Sequence, residues 1–256
     1  MNYKDYEVYM SNQFNHGVMS NRTGVDSQID EGLRAHMLRV YNYMVTGLAL
    51  TGVVAYFVAS TPALLGLFYA ITPQGYLSTK PLGWIAMLSP LAFVLVLSFG
   101  ISRMKSSTGQ LLFWLFAGVM GLSLSNIFIV YTGESIARVF FITAATFAAM
   151  SLYGYTTKRD LTGMGSFLMM GLFGIIIASV VNMFIGSSMI QFVVSVLGVL
   201  IFVGLTAHDT QRIKQMYNSL DDSEIAGKKA IMGALSLYLD FINLFLLLLR
   251  LFGNRN

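Results

Sequence analysis

From Tyr41 onward the chain alternates long uncharged apolar runs with short polar connections. A helix needs about 20 consecutive apolar residues to cross the hydrocarbon of a bilayer. Runs of that size lie at about 41–60, 82–101, 111–131, 136–155, 164–185, 188–208 and 230–252. They are continuous rather than alternating and about twice as long as a tilted membrane strand, which predicts helices and argues against a barrel. The expected fold class is all-α, a polytopic membrane bundle of seven transmembrane helices over residues 41–256. The connection after the first run, STPALLGLFYAITPQGYLSTKP, is apolar but rich in proline, and is expected to lie partly in the membrane interface. Residues 1–40 are polar and lack the short apolar core of a cleaved signal peptide. They are expected to form a polar cytoplasmic arm, partly disordered, that leads into the first helix.

Composition agrees with the pattern. Of 256 residues, 55% are hydrophobic and 11% charged, and the mean hydropathy is +0.67, far from a soluble domain of this length. Small residues recur inside the spans, as in TAATFAAM (143–150) and GMGSFLMMGLFG (163–174). They permit close helix contact in lipid, where apolarity drives no association. The chain has no cysteine, so disulfides, thiolate catalysis and cysteine metal sites are excluded. No cluster of Lys and Arg interleaved with aromatics points to nucleic acid.

The net charge of +4 carries topological information instead. Twelve of the 16 Lys and Arg residues fall in the N-terminal arm and in the loops after the second, fourth and sixth runs. The other four, Lys80, Arg138, Arg250 and Arg255, fall on the opposite side. The positive-inside rule then places the N-terminus in the cytoplasm, and a seventh full crossing places the C-terminus outside. A re-entrant last segment would instead return Arg250 and Arg255 to the cytoplasm.

One acid interrupts the last run. Asp240 stands in the middle of SLYLDFINLFLLLLR (236–250), whereas the other acidic and basic residues lie in the arm, the loops or the span ends. An ionised Asp at a helix centre costs about 2.5–3.5 kcal/mol on insertion scales, so such residues face the bundle interior and mark a pathway or relay. At about 100° per residue, Gly233, Ser236, Asp240 and Asn243 share one stripe. The alternative is a neutral Asp240 that serves as packing glue between helices.

A second acid, Asp209, lies in LTAHDTQRIKQMY (205–217), where the sixth run passes into a polar helical extension. By itself it reads as a span-end acid paired with Arg212 or Lys214. If it approaches Asp240, two carboxylates in low dielectric share a proton rather than ionise together. Such a pair latches two helices when protonated and repels them when both groups are charged. Ionised, its oxygens suit a hard cation such as Ca²⁺.

The stretch ALSLYLDFINLFLLLLRLFG (234–253), together with DTQRIKQ (209–215), resembles the Bax inhibitor family, the transmembrane Bax inhibitor motif proteins, and among them the bacterial members. The resemblance implies a fold in which six helices surround a central, hydrophobic last helix, in a bacterial plasma (inner) membrane. It also implies a pH-sensitive cation leak, described for Ca²⁺, with a hydrogen-bonded aspartate pair as sensor. The motif acids fall on Asp209 and Asp240, and a basic latch residue at the end of the second helix falls on Arg103. This chain has no acid in its second span, where an additional carboxylate would stand.

The pH sensor and gate are therefore expected at Asp209, Asp240 and Arg103, with Ser236 and Asn243 along the ion path. Any Ca²⁺ site at Asp209 and Asp240 has too few oxygens for a tight cage, since Ca²⁺ takes about six to eight, and no tightly bound cofactor is expected. Loss of an Arg–Asp attraction would open such a gate in acid, whereas splitting a shared proton would open it in alkali, so both directions of gating stay open. A different function class is a regulatory membrane protein that restrains a membrane protease through the N-terminal arm. An intramembrane aspartyl protease is disfavoured because neither AHDTQ nor YLDFI has the glycine-flanked aspartate of those enzymes. With phosphate loops, nucleophile elbows and zinc motifs also missing from the sequence, no enzyme is expected. His208 either tunes the proton of Asp209 or faces headgroups. Asn126, Asn182 and Gln191 either line a path or bond across helices.

Overall fold

The structure is a computed structural model that describes the backbone at residues 3–71 and 77–256 and the side chains at 31–70 and 78–256. Helix α1 (Tyr3–Ser60) is followed by a short helix α2 (Pro62–Phe68) and a hairpin of β1 (Tyr69–Ile71) and β2 (Leu77–Thr79). Then come α3 (Pro81–Gly100), α4 (Ser106–Leu124), the single turn α5 (Ile127–Val130), α6 (Gly133–Thr156), α7 (Thr162–Ile185), α8 (Ser188–Gln215) and α9 (Ser223–Phe252). Seven helical segments among the described residues are long and apolar enough to cross a membrane, the first being Glu31–Ser60 and the third running through α4 and α5. Most of the N-terminal arm expected at residues 1–40 lies outside the described side chains.

The expected proline-rich interfacial connection is built from α2 and an antiparallel hairpin that pairs Tyr69 with Thr79. Proline explains where the helices begin, because Pro62 and Pro81 occupy first-turn positions where the missing amide is not needed. The third span breaks at Ser125 and Asn126, and the Ser125 hydroxyl donates to the Leu122 carbonyl at 2.8 Å. There a side chain satisfies a carbonyl near the helix end.

α9 is the axis of the bundle. In its most apolar window 67% of the residues are buried, against none in α7. It packs on α1, α3, α4, α6 and α8. α7 leans on α8 from outside, so five helices pack around the last one while the sixth stands off it. Tyr238 anchors this core: its ring lies edge-on to Phe113 and Phe116 of α4. Its hydroxyl meets that of Thr51 on α1 at 2.6 Å, and Thr51 in turn donates to the Ala117 carbonyl at 2.8 Å.

α9 crosses completely. At its start the Glu224 carboxylate accepts from the Ser106 amide at 2.5 Å, at the head of α4. At its end the tail pairs with the turn before α6: the Thr132 amide donates to the Asn254 carbonyl at 3.1 Å, and the Asn256 amide to the Val130 carbonyl at 3.0 Å. The two ends of one continuous 30-residue helix thus touch opposite ends of α4 and α5, which excludes a re-entrant last segment. At 1.5 Å per residue its length is about 45 Å.

Candidate functional site

The DTQ triplet at 209–211 sits on three faces of α8, because successive residues of a helix are turned by about 100°. Thr210 faces α6 and completes a chain of hydroxyls: Tyr41 of α1 meets Ser151 of α6 at 2.6 Å, and Ser151 meets Thr210 at 2.9 Å. Gln211 holds the loop between α6 and α7, accepting from the Leu161 amide at 2.8 Å and donating to the Arg159 carbonyl at 2.7 Å. Asp209 is left on the face toward α7 and α9. The sequence by itself gives Thr210 and Gln211 no role; the available signal is their place in the DTQRIKQ stretch that carries the family resemblance.

Two glycines bring the neighbouring helices against α8 at this level. A Cβ on Gly154 of α6 would lie 2.1 Å from the Ala207 carbonyl oxygen, and one on Gly165 of α7 would lie 2.2 Å from the His208 ring. On the other flank Gly233 of α9 lies against Ile213. Because α8 and α9 run in opposite directions, that contact sets their register. Asp209, four residues before Ile213, is level with Leu237, and Asp240 lies about 4.5 Å deeper along the axis at 1.5 Å per residue.

Both acids line one cavity of 690 Å³ between α7, α8 and α9, which Ser236 and Asn243 also line. Three of the four stripe residues therefore open onto the same space as Asp209. Asp240 is only 5% exposed, and its Oδ2 is buried with no hydrogen-bond partner among the described residues. Among the described residues no hydrogen bond joins the two carboxyls. Asp209 Oδ1 lies instead 2.9 Å from Nδ1 of His208. Asn243 donates to the Leu239 carbonyl of its own helix at 2.8 Å.

Two basic residues, both exposed, are among the lining of the cavity. Arg212 lines it beside His208, and Arg250 lines its far end. Arg250 is shared with a smaller pocket of 160 Å³ that includes Gln191 and Arg255. The expected latch residue Arg103 is not at this site. It is exposed in the turn after α3 and does not line the cavity. The physical reason is packing: α3 is held mainly by α4, whereas the cavity belongs to α7, α8 and α9.

Lys214 does not pair with Asp209 either. Its ammonium donates to the Tyr155 carbonyl at 2.9 Å and lies over the Tyr155 ring. Asn182 accepts from the Ser187 amide at 3.0 Å, which binds the turn between α7 and α8, and Asn126 stands at the start of the short α5 without a capping bond from its side chain.

Among the described residues no group of three or more His, Cys, Asp or Glu side chains could hold a metal ion. The oxygens gathered around the cavity come from two carboxylates, one amide and the two hydroxyls of Ser179 and Ser236. This set is suited to brief contact with a hydrated cation rather than to a cage.

The sequence comparisons agree with these features. An uncharacterized protein of Rickettsia prowazekii is 50% identical over 233 residues, covering 91% of this chain and 95% of its own length. The inner membrane protein YbhL of Escherichia coli is 48% identical over 226 residues, covering 88% and 93% respectively. A protein of Borreliella burgdorferi is 44% identical over 221 residues. The profile of the family described as inhibitor of apoptosis-promoting Bax1 matches residues 33–256, the whole of the bundle with both acids and the central last helix. This seven-helix membrane protein belongs to the Bax inhibitor family.

Proposed function

We propose that the chain is a pH-sensitive leak for cations, with Ca²⁺ as the transported ion and Asp209 and Asp240 as the groups that sense pH. The observation that carries this reading is the Asp240 carboxyl, buried in the central helix with Oδ2 unpartnered among the described residues, facing the cavity that Asp209 also lines. A buried polar atom without a partner costs about 1–3 kcal/mol. A chain that keeps one where leucine would pack retains it for its chemistry. Protonation state sets the repulsion between the two acids and thereby the fit of α9 against α8. Ser236 and Asn243 offer neutral oxygens along the same wall, and His208 and Arg212 set the potential at the mouth. The protein acts by conduction and carries out no covalent chemistry.

The loops after α3, α6 and α8, rich in Lys and Arg, meet at the end of the bundle where Glu224 contacts Ser106 and Gln211 contacts Arg159. By the positive-inside rule this end is cytoplasmic and the C-terminus is external. The name of the Escherichia coli relative supports the bacterial inner membrane as the location.

The test is Ca²⁺ flux into proteoliposomes across pH for the natural chain, Asp240→Asn and Asp209→Asn. Loss of the pH response in both variants supports the proposal. Flux that is identical in all three proteins, or absent at every pH, removes it. Under the alternative, a regulator of a membrane protease acting through the arm, deleting residues 1–30 abolishes function. A leak survives that deletion.

A further inference from the structure

Away from the acids, α1 and α6 both pack on α9 and leave between them a groove of 1120 Å³. Its floor is formed by buried Met37, Met44, Phe147 and Phe241, and its lips by exposed Leu38 and Leu152. The hydroxyls of Tyr41 and Ser151, also in its lining, are satisfied by one another. Nothing in the floor favours water or an ion. The α1 residues of the lining run from Arg34 to Val53, about 28 Å at 1.5 Å per residue. The hydrocarbon is about 30 Å thick, so the acyl chains of a lipid in one leaflet occupy about half of this length.

Charge stands at one end only. Arg34 lines the groove there, and Tyr155 presents its ring with the Lys214 ammonium 4.9 Å from the centroid. A long apolar slot with Arg34 in its lining at a single end, and Lys214 stacked on the lining ring of Tyr155 at that same end, is complementary to one kind of membrane molecule. We propose that this groove binds a phospholipid with an anionic headgroup, its acyl chains on Met37, Met44, Phe147 and Phe241 and its phosphate between Arg34 and Lys214. Because the charge lies at the end shared with the basic loops, the lipid belongs to that leaflet. The site is separate from the acid cavity: Ser151 in its lining bonds Thr210, which does not line that cavity.

The experiment is native mass spectrometry of the full chain in detergent, offered phosphatidylglycerol and phosphatidylcholine in equal amounts. The expected result is preferential retention of phosphatidylglycerol, weakened about fivefold by either Arg34→Gln or Lys214→Gln. Ala148→Trp, which fills the groove from an exposed lining position, removes the adduct while circular dichroism reports an unchanged helical fold. Equal retention of both lipids means that the groove takes bulk acyl chains without selection, and overturns the proposal. Unchanged phosphatidylglycerol binding in Ala148→Trp places the lipid elsewhere and overturns it as well. So does a dimer of the natural chain that forms in place of lipid adducts. Should Ala148→Trp fail to fold, the two charge variants decide alone: full phosphatidylglycerol selectivity in both rejects the site.

Discussion

His208 Nδ1 lies 2.9 Å from Oδ1 of Asp209, so the acid at the mouth of the cavity is held by its neighbour in the chain and not by Asp240. Both side chains keep some access to solvent, at 17% and 16% exposure. Replacing His208 by Gln keeps a polar group at this position but removes the ring nitrogen that holds Asp209. The expected outcome is a flatter dependence of Ca²⁺ flux on pH, with flux at the optimum reduced by less than about tenfold. A pH profile that superimposes on that of the natural chain would show that His208 plays no part in sensing.

On the proposed reading, Asp240 is kept for its chemistry at the expense of stability. In Asp240→Leu the unpartnered Oδ2 is replaced by apolar volume in the middle of the most buried helix. Removal of such a group is expected to stabilise the bundle by about 1–3 kcal/mol, seen as a higher melting temperature in detergent, while pH-dependent flux disappears. A melting temperature that falls by several degrees would mean that the carboxyl is bonded in the native protein and is structural.

Gly154 lets α6 reach the backbone of α8, because a Cβ there would lie 2.1 Å from the Ala207 carbonyl oxygen. A backbone atom cannot rotate away as the tip of a side chain can. Gly154→Ala is therefore expected to cost about 1–3 kcal/mol by overpacking, despite the better intrinsic helix propensity of alanine. Reversible unfolding in mixed detergent micelles measures it. Gly174, where a Cβ meets nothing within 4 Å, is the control and should tolerate alanine.

Tyr238→Phe removes the hydroxyl that meets Thr51 at 2.6 Å but keeps the ring against Phe113 and Phe116. Hydrogen bonds between membrane helices average about 0.6 kcal/mol, with a maximum near 1.7. The expected loss is in that range, because Thr51 retains its bond to the Ala117 carbonyl. Tyr238→Ala, which also empties the aromatic core, should cost about 3–5 kcal/mol.

The exposed loop before α7 supplies a pH effect whose sign is determined. Hydrogen bonds from Thr162, first its hydroxyl and then its amide, hold the Asp160 carboxyl below the usual carboxylate range. A group lowered in the folded state stabilises it above its unfolded value, about 3.9. That contribution is lost as pH falls through the lower folded value. The melting temperature of Asp160→Ala should thus fall below that of the natural chain at pH 6, and the gap should close as pH falls below the usual carboxylate range. A constant gap would assign the effect to something other than the charge.

Much of the molecule is legible in the order of its residues because the bilayer imposes one length and one polarity on every span. The seven helices, the extension of the sixth span into a polar segment and the isolation of Asp240 follow from that constraint alone. The stripe of Gly233, Ser236, Asp240 and Asn243 follows from helical periodicity, and the DTQ and LYLDFINLF stretches carry the family. Partnership between helices does not follow, because hydropathy is the same for a helix that packs on α9 and for one that faces lipid. Only the tertiary structure decided that α7 and α8 enclose the cavity with α9 while α3 is held on α4, which leaves Arg103 outside the site. It also decided that Asp209 bonds to His208, that Thr210 and Gln211 clasp α6 and its loop, and that the tail of α9 meets the turn before α6 and completes the crossing. Each of these depends on the rotation and register of one helix against another. Close contacts such as Gly154 on Ala207 and Gly233 on Ile213 set both, in pairs of residues that lie far apart in the chain.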